Sequence, residues 1–231
     1  MSLNRPRRET WLAAVGVVVL AAAWLGPLPA LSRHVFSAHM LMHMAVVAVA
    51  CPLLAAGIAG GRFDLTRMDA GRTDRTRGVP WRAALCSPFV ASALEFVVVW
   101  SWHAPGLHHL ARQANVWLVI EQGSFLFVGM LVWLTAFGGD AAARRERAAA
   151  GIAALLMTSM HMTLLGVLLA LAARPLYVHG ATANLFGLSP LQDQHLGGVV
   201  MLTFGGASYM AGALWLLARL LREQRVGTFD G

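Results

Sequence analysis

Six apolar segments, each about 20 residues or longer, dominate this chain of 231 residues. A helix needs about 20 predominantly apolar residues to cross the hydrocarbon core of a bilayer. Because no water reaches the backbone there, a spanning segment must satisfy its own polar groups as a helix. The pattern predicts an all-α, polytopic transmembrane bundle of about six spans, forming one membrane domain. The spans are expected at about 10–31, 35–59, 83–104, 115–137, 148–173 and 190–221.

The charged residues fit this architecture. Only 13% of the residues are charged, against roughly a quarter in soluble domains. The net charge of +7 comes entirely from arginine, in short clusters between the apolar runs, which argues against a nucleic-acid-binding surface. Cys51 and Cys86 each lie within an apolar run, so neither a disulfide framework nor a CxxC motif is present.

Arginine also sets the expected topology. Fifteen of the 18 arginines lie before residue 10, within 60–82, within 144–147 or after residue 218. The alternate connections hold only Arg33, Arg112 and Arg174. Since cytoplasmic loops are enriched in basic residues, both termini are predicted to be cytoplasmic. The polar loop 60–80 is then the longest cytoplasmic connection, and it is expected to face lipid headgroups.

On this topology no histidine is cytoplasmic. Helix 2 begins with three of them, and the end of helix 3 and the loop beyond carry three more. His161 is the deepest, about 12 residues inside helix 5, near the middle of the bilayer. Ionisable side chains in a span are costly and usually functional. The full set is His34, His39, His43, His103, His108, His109, His161, His179 and His195.

The sequence FSAHMLMHM, residues 36–44, holds the densest cluster. His39 and His43 are four residues apart and project from one face of a helix. Met40 and Met44 form a neighbouring stripe. Imidazole together with thioether suits copper, especially Cu(I), because sulfur is a soft ligand. Methionine in a span is also an ordinary apolar filler, so the histidines carry most of this prediction.

The other candidate histidine ligands lie in three helices: His103 in helix 3, His161 in helix 5 and His195 in helix 6. His161 stands among Met157, Met160 and Met162 in helix 5, and a hydrogen bond across the bundle is the alternative to ligation. His103 lies where Pro105 breaks helix 3, at the membrane edge. His108 and His109 are expected in a solvated loop.

Three acidic residues fall within the apolar runs. Glu121 lies about two turns inside helix 4, where it is a candidate ligand, a partner of an imidazole or a proton carrier. Asp193 lies in the first turn of helix 6, where it either binds metal or complements the helix dipole. Glu95 in helix 3 has no partner that the sequence can name. Ser189, Pro190 and Gln192 form a start signal for helix 6.

These motifs resemble the multi-span CtaG family of caa-type cytochrome c oxidase assembly factors. The resembling pieces are 36–44, 51–57, 102–109, 121–133, 164–177 and 188–201. The resemblance implies a protein of the bacterial plasma membrane that handles copper on the periplasmic side while a haem–copper oxidase matures. By motif, His39, His43, His103, Glu121, Asp193 and Gln194 fall on characteristic family positions.

Two departures from the family stand out. The family commonly has Glu-His where this chain has Glu121 and Gln122, and a second glutamine where it has His195, so a ligand is expected to have moved from helix 4 to helix 6. The family also often shows seven spans rather than six.

Three functions compete at this point. The first is a non-enzymatic factor that binds copper at His39 and His43, with His103, His161 or His195 and a nearby Met, and passes it to a cytochrome c oxidase subunit. A periplasmic copper chaperone is a possible source of the metal. The second is a haem-binding redox protein with two axial histidines, His39 or His43 with His161. The third, an ion or proton transporter, is disfavoured because the inner half holds few polar groups.

Two further expectations complete the prediction. A protease is disfavoured, since neither HExxH nor GxSxG occurs. The glycine pairs Gly197–Gly198 and Gly205–Gly206 permit close helix packing, either within one chain or in a homodimer.

Overall fold

A computed structural model of the protein describes residues 5–61, 63–64, 66, 85–139, 144–177 and 186–229. Within these ranges the fold is built from helices and contains no strand. The last helix of the chain is continuous through a π-helical stretch at Met201–Gly206. The helices are α1 (Arg5–Leu25), α2 (Leu28–Leu31), α3 (Phe36–Ile58), α4 (Pro88–Trp102), α5 (Pro105–Gln113), α6 (Asn115–Phe137), α7 (Arg144–Ala170) and α8 (Pro190–Val200 through Ala207–Phe229).

The predicted membrane-spanning bundle is confirmed. Five helices, α1, α3, α6, α7 and α8, are long and apolar enough to cross a bilayer, and α4 is a shorter apolar helix of 15 residues. Six apolar helices therefore correspond to the six predicted spans. The first predicted span is interrupted, because α1 ends at Leu25 and Pro27 precedes the separate short helix α2. Most of the loop 60–80, and His179, lie outside the described residues.

Helix ends follow the local sequence signals. The Ser189 side chain accepts a hydrogen bond from the backbone of Gln192, whose side chain accepts one from the Ser189 backbone. This capping box confirms the predicted start of α8. Helix α3 is not uniform, because residues Ala45–Ala50 form a π-helical segment in its middle. We call the end of the bundle that holds residue 36 the outer end, after the arginine-based topology.

Glycines bring α8 against its two neighbours. A Cβ atom on Gly198 would lie 2.5 Å from the Ala170 backbone nitrogen and 2.8 Å from the Gly166 carbonyl oxygen, both in α7. A Cβ on Gly197 would lie 2.5 Å from the Phe36 ring at the start of α3. The predicted close packing at these glycines therefore occurs within the chain.

The inner half of the bundle contains a buried carboxyl group that is paired with a tyrosine. Glu95 of α4 is fully buried and accepts a hydrogen bond from the hydroxyl of Tyr209 in α8, which names the partner that the sequence could not. Tyr209 stacks on Trp133, with ring centroids 5.0 Å apart. The Trp133 indole in turn donates to the carbonyl of Val47. These contacts link α4, α8, α6 and α3 below the outer end.

Candidate metal centre

Helix α3 supplies the first two histidines of the outer end. His39 is fully buried and His43 is 2% exposed, because both project from the face of α3 that points into the bundle. Their rings meet edge to face, with centroids 4.2 Å apart. Met40 and Met44 are buried beside them. The predicted His-Met face of residues 36–44 thus turns inward, where other helices add to it.

Asp193 of α8 fixes where α3 begins. One carboxylate oxygen accepts a hydrogen bond from the Phe36 amide at 2.7 Å. The other accepts from the amide and the hydroxyl of Ser37, at 3.0 and 2.6 Å. Orphan N–H groups at a helix start favour a negative partner. Asp193, which the sequence predicts to bind metal or to complement the dipole of its own helix, therefore also caps α3 and orients the segment that carries His39.

Glu121 of α6 lies between the two histidines of α3. Its Oε1 is 3.3 Å from Nε2 of His39 and 3.6 Å from Nε2 of His43. The side chain is fully buried, and among the described residues Oε2 has no hydrogen-bond partner. A buried carboxylate is expensive unless it is paired or coordinated. Glu121 consequently has an oxygen available for a further ligand.

His103 joins the cluster from the C-terminal end of α4. Its Nδ1 is 2.7 Å from the Val99 carbonyl oxygen, and a carbonyl can only accept, so the ring proton lies on Nδ1. The lone pair on Nε2 therefore faces the Met40 sulfur at 3.4 Å. Two electron-pair donors at this distance are well placed to share a soft cation. This geometry brings the predicted residues His103 and Met40 together.

Tyr177 holds the backbone of His103 in place. Its hydroxyl donates to the His103 carbonyl at 2.6 Å. Burial raises the pKa of Tyr177 to about 12, so the hydroxyl keeps its proton at neutral pH. Its ring stacks on Phe36, with centroids 4.8 Å apart. Sequence reasoning did not single out this residue, which lies in the connection after α7.

The expectation that His108 is solvated is wrong. Residues Pro105–Gln113 form helix α5, and His108 is only 1% exposed while His109 is exposed. The His108 ring lies 4.9 Å from that of His39. Donor atoms of His39, His108 and Glu121 all lie within 4.8 Å of one another. Pro105 at the first helical position was the available signal, because proline starts helices as well as ending them.

Gln122 determines the protonation of His43. The amide nitrogen of Gln122 lies 2.7 Å from Nδ1 of His43. The amide oxygen of Gln122 accepts from the indole of Trp24 at 3.2 Å, which fixes the orientation of the amide. The amide therefore donates to Nδ1, and the proton of neutral His43 lies on Nε2, toward Glu121. In this arrangement His43 directs its Nε2 proton toward Glu121 at 3.6 Å, and His39 and His108 complete the group of donors around that carboxylate.

Two predicted candidates lie apart from this cluster. His161 of α7 packs edge-on against Phe96, with ring centroids 5.4 Å apart, and neither ring nitrogen has a hydrogen-bond partner in the described structure. Its neighbours Met157 and Met160 face outward, at 48% and 72% exposed. His195 donates from Nε2 to the Ala172 carbonyl at 2.9 Å, which joins the start of α8 to the end of α7.

The cluster fits a metal ion. Nε2 of His39 and Oε1 of Glu121 are hydrogen-bonded at 3.3 Å, and the donor atoms of His39, His108 and Glu121 lie within 4.8 Å of one another, which is close enough to hold one ion. Nδ1 of His39 and Oε2 of Glu121 have no hydrogen-bond partner among the described residues. Imidazole, carboxylate and thioether together form a donor set of the kind that copper takes, and the thioether favours Cu(I).

Comparisons with known proteins add one match. A search of the curated proteins finds no match, and neither does a search of the solved structures. A family model described as the cytochrome c oxidase caa3 assembly factor (Caa3_CtaG) matches residues 2–223. That match spans α1 to α7 and all but the last residues of α8, and so includes His39, His103, His108 and Glu121. The chain therefore belongs to the cytochrome c oxidase caa3 assembly factor family.

Proposed function

We propose that this protein binds Cu(I) at its outer end and passes it to a subunit of a haem–copper oxidase during assembly. One observation carries the proposal. The donor atoms of His39, His108 and Glu121 lie within 4.8 Å of one another in a buried cluster, beside the Met40 sulfur and the Nε2 lone pair of His103. Copper is the cargo, and the role is assembly without catalytic turnover.

The arrangement of donors suits a cargo that must leave again. Met40 and His103 form one set of donors, and His39, His108 and Glu121 form a second set. Thioether and imidazole bind Cu(I) without losing a proton, so the ion can exchange between the two sets without proton release. The two sets are adjacent in the chain, since Met40 directly follows His39 in α3.

The proposed setting follows from the arginine topology and the family. The metal cluster would face the periplasmic side of a bacterial plasma membrane, where an oxidase subunit, and upstream a periplasmic copper chaperone, can reach it. The lipid bilayer surrounds the outward-facing apolar side chains. The glycine contacts described above lie within the chain, so a homodimer would have to use another surface.

Metal analysis tests the proposal directly. Purified protein incubated anaerobically with Cu(I) is expected to retain about one copper ion per chain after desalting. The variant His39→Ala with His43→Ala should retain none, and cells carrying it should produce oxidase with less copper. A double variant that binds copper normally and leaves the oxidase copper content unchanged would end the proposal.

Haem binding is the alternative that the sequence raised. The predicted axial pairs required His161 opposite His39 or His43. The described contacts of His161 are instead with Phe96. Absorption spectroscopy separates the two cases, because a Soret band in the isolated protein would support haem, whereas a colourless protein that contains copper would support the metal-handling role.

A further inference from the structure

We define the outer cluster as the buried group at the outer end formed by His39, Met40, His43, His103, His108, Glu121, Asp193 and Arg112. Its cation is Arg112. Arg112 of α5 lies one turn after His108 and is only 9% exposed. One guanidinium NH₂ donates to the Arg33 carbonyl at 2.6 Å. In the described structure Nε and the other NH₂ have no hydrogen-bond partner. A buried charge is costly unless other charges compensate it, so Arg112 requires an explanation beyond a single hydrogen bond.

Asp193 and Glu121 are the two carboxylates that act on Arg112, and among the described residues neither forms an ion pair with its guanidinium. Burial lowers the pKa of Arg112 to about 10, while Asp193 and then Glu121 act in the opposite direction. The guanidinium therefore stays protonated at neutral pH. Asp193 directs its oxygens to α3, and Glu121 directs Oε1 to His39 and His43.

The formal charge of the cluster then selects among metal ions. The cluster contains two carboxylates and one guanidinium, whereas its imidazoles bind metal in their neutral form. One net negative charge remains. A monovalent ion would bring the buried cluster to neutrality, whereas a divalent ion would leave it with an uncompensated positive charge in a medium of low dielectric constant.

We propose that Arg112 sets the valence preference of the outer cluster, so that it favours a monovalent over a divalent metal ion. This inference rests on the proposed function, since it concerns the same cluster. Arg112 acts through its charge and not as a ligand, because a guanidinium has no lone pair to offer a metal. The thioether of Met40 favours a soft metal ion, and the charge of Arg112 favours an ion of lower charge.

The charge mechanism predicts a fixed relation between the changes in affinity for monovalent and divalent ions. The interaction energy between a fixed charge and an ion is proportional to the charge of the ion. Neutralising Arg112 must therefore change the affinity for a divalent ion by the square of the factor found for a monovalent ion. A residue with a merely structural role would change both affinities by similar factors, and in the unfavourable direction.

The experiment compares Cu(I), under anaerobic conditions, with Zn²⁺, which is divalent and not redox-active. Arg112→Gln should raise the Cu(I) affinity about tenfold and the Zn²⁺ affinity about a hundredfold, which narrows the Cu(I) preference about tenfold. Arg112→Lys keeps the charge and should keep the preference. Arg33→Gln is the matched control, because Arg33 is exposed, donates to Asn115, and should leave both affinities unchanged.

Several results would overturn the inference. One is an equal change in both affinities for Arg112→Gln, and another is an Arg112→Lys variant that behaves like Arg112→Gln. If Arg112→Gln does not fold, Asp193→Asn supplies the opposite test, since it removes a negative charge and keeps an acceptor for α3. Asp193→Asn should lower the Zn²⁺ affinity by the square of the factor by which it lowers the Cu(I) affinity. Equal losses of affinity for the two ions would count against the inference.

The two proposals fail separately. A wild-type protein that binds neither Cu(I) nor Zn²⁺ contradicts the proposed function. A wild-type protein that binds Cu(I) but shows an unchanged preference after Arg112→Gln contradicts only the role of Arg112.

Discussion

Two segments of this chain both combine histidine with three methionines but lie in different surroundings. The α3 segment, residues 36–44, reads FSAHMLMHM, and the α7 segment, residues 155–162, reads LLMTSMHM. In the α3 segment His39 and Met40 are fully buried. In the α7 segment Met157 and Met160 face outward, and His161 is buried without a polar partner among the described residues.

The difference between the segments lies in their neighbours. The α3 segment is met by Glu121 from α6, His103 from the end of α4 and His108 from α5, and Asp193 from α8 caps its first turn. In the α7 segment His161 meets Phe96. The polar contacts of that segment belong to its hydroxyl groups, since Thr158 pairs with Ser92 and Ser159 donates to the Gly206 carbonyl. Residue types alone therefore indicate that metal chemistry is possible, whereas convergent polar groups from other helices decide where it can happen.

Single histidine replacements provide the sharpest test of this comparison. His39→Ala should lower the Cu(I) affinity about a hundredfold, because it removes a donor from the centre of the cluster. His161→Ala should change the affinity less than about twofold. Competition with a chromophoric Cu(I) chelator measures both affinities. If His161→Ala caused the larger loss, the α7 segment would be the metal site and the comparison would be reversed.

Two adjacent glycines of α8 contact different helices, Gly198 the α7 helix and Gly197 the α3 segment. Gly198→Ala would press a methyl group onto the α7 backbone, which cannot move aside, and should lower the free energy of unfolding by about 1–3 kcal/mol. Gly197→Ala would press on the side chains of Phe36 and Met40, which can shift. It should reduce the Cu(I) affinity a few-fold with a smaller loss of stability.

Thermal unfolding in detergent, together with the Cu(I) competition assay, measures both glycine effects. A Gly197→Ala variant as unstable as Gly198→Ala, with unchanged Cu(I) affinity, would show that α8 does not divide its contacts between packing on α7 and support of the α3 segment.

Methionine replacements compare the two segments at matched residue type. Met40→Leu removes the sulfur that lies 3.4 Å from Nε2 of His103 and should lower the Cu(I) affinity about tenfold, with little effect on Zn²⁺. Met160→Leu, at a side chain that is 72% exposed, should change neither affinity. Equal Cu(I) affinities for Met40→Leu and Met160→Leu would show that Met40 contributes only apolar packing and is not a ligand.

The smallest expected effect concerns the support of His43. Trp24→Phe keeps an aromatic side chain, with a smaller ring, but removes the indole N–H that orients the Gln122 amide. The loss of one such hydrogen bond costs about 1 kcal/mol, so the Cu(I) affinity should fall about fivefold at most. The signal of the His43 ring protons in NMR spectra should shift as its tautomer becomes mixed. An unshifted signal would show that Trp24 does not control the tautomer.

Much of the fold follows from local features of the sequence. Long apolar runs specify the spans, and the residues at 189–192 specify the start of α8 through their capping box. Pro105 is a harder case, because proline both ends α4 and begins α5. The sequence signal for a break was correct, but the helix that follows it, and with it the burial of His108, was missed.

The site was harder to predict than the fold, because its residues meet only through packing. Periodicity placed His39 and His43 on one face, but it could not show that Asp193 caps α3 rather than its own helix. Neither could it show that Arg112 is buried, since an arginine between two spans ordinarily lies in solvent. These facts depend on how α5 and α8 sit against α3.

The π-helical segment of α3, at Ala45–Ala50, directly follows Met44. Each residue of an α-helix turns the chain by about 100°, and a π-helical turn contains one residue more than an α-helical turn. Deleting one residue there should restore regular helix and leave the outer and inner parts of α3 in nearly the same relative orientation. If the same number of residues formed regular α-helix instead, the outer part would turn by about a quarter of a revolution against the inner part. The π-helical geometry of this stretch therefore sets the direction in which His39 and His43 point.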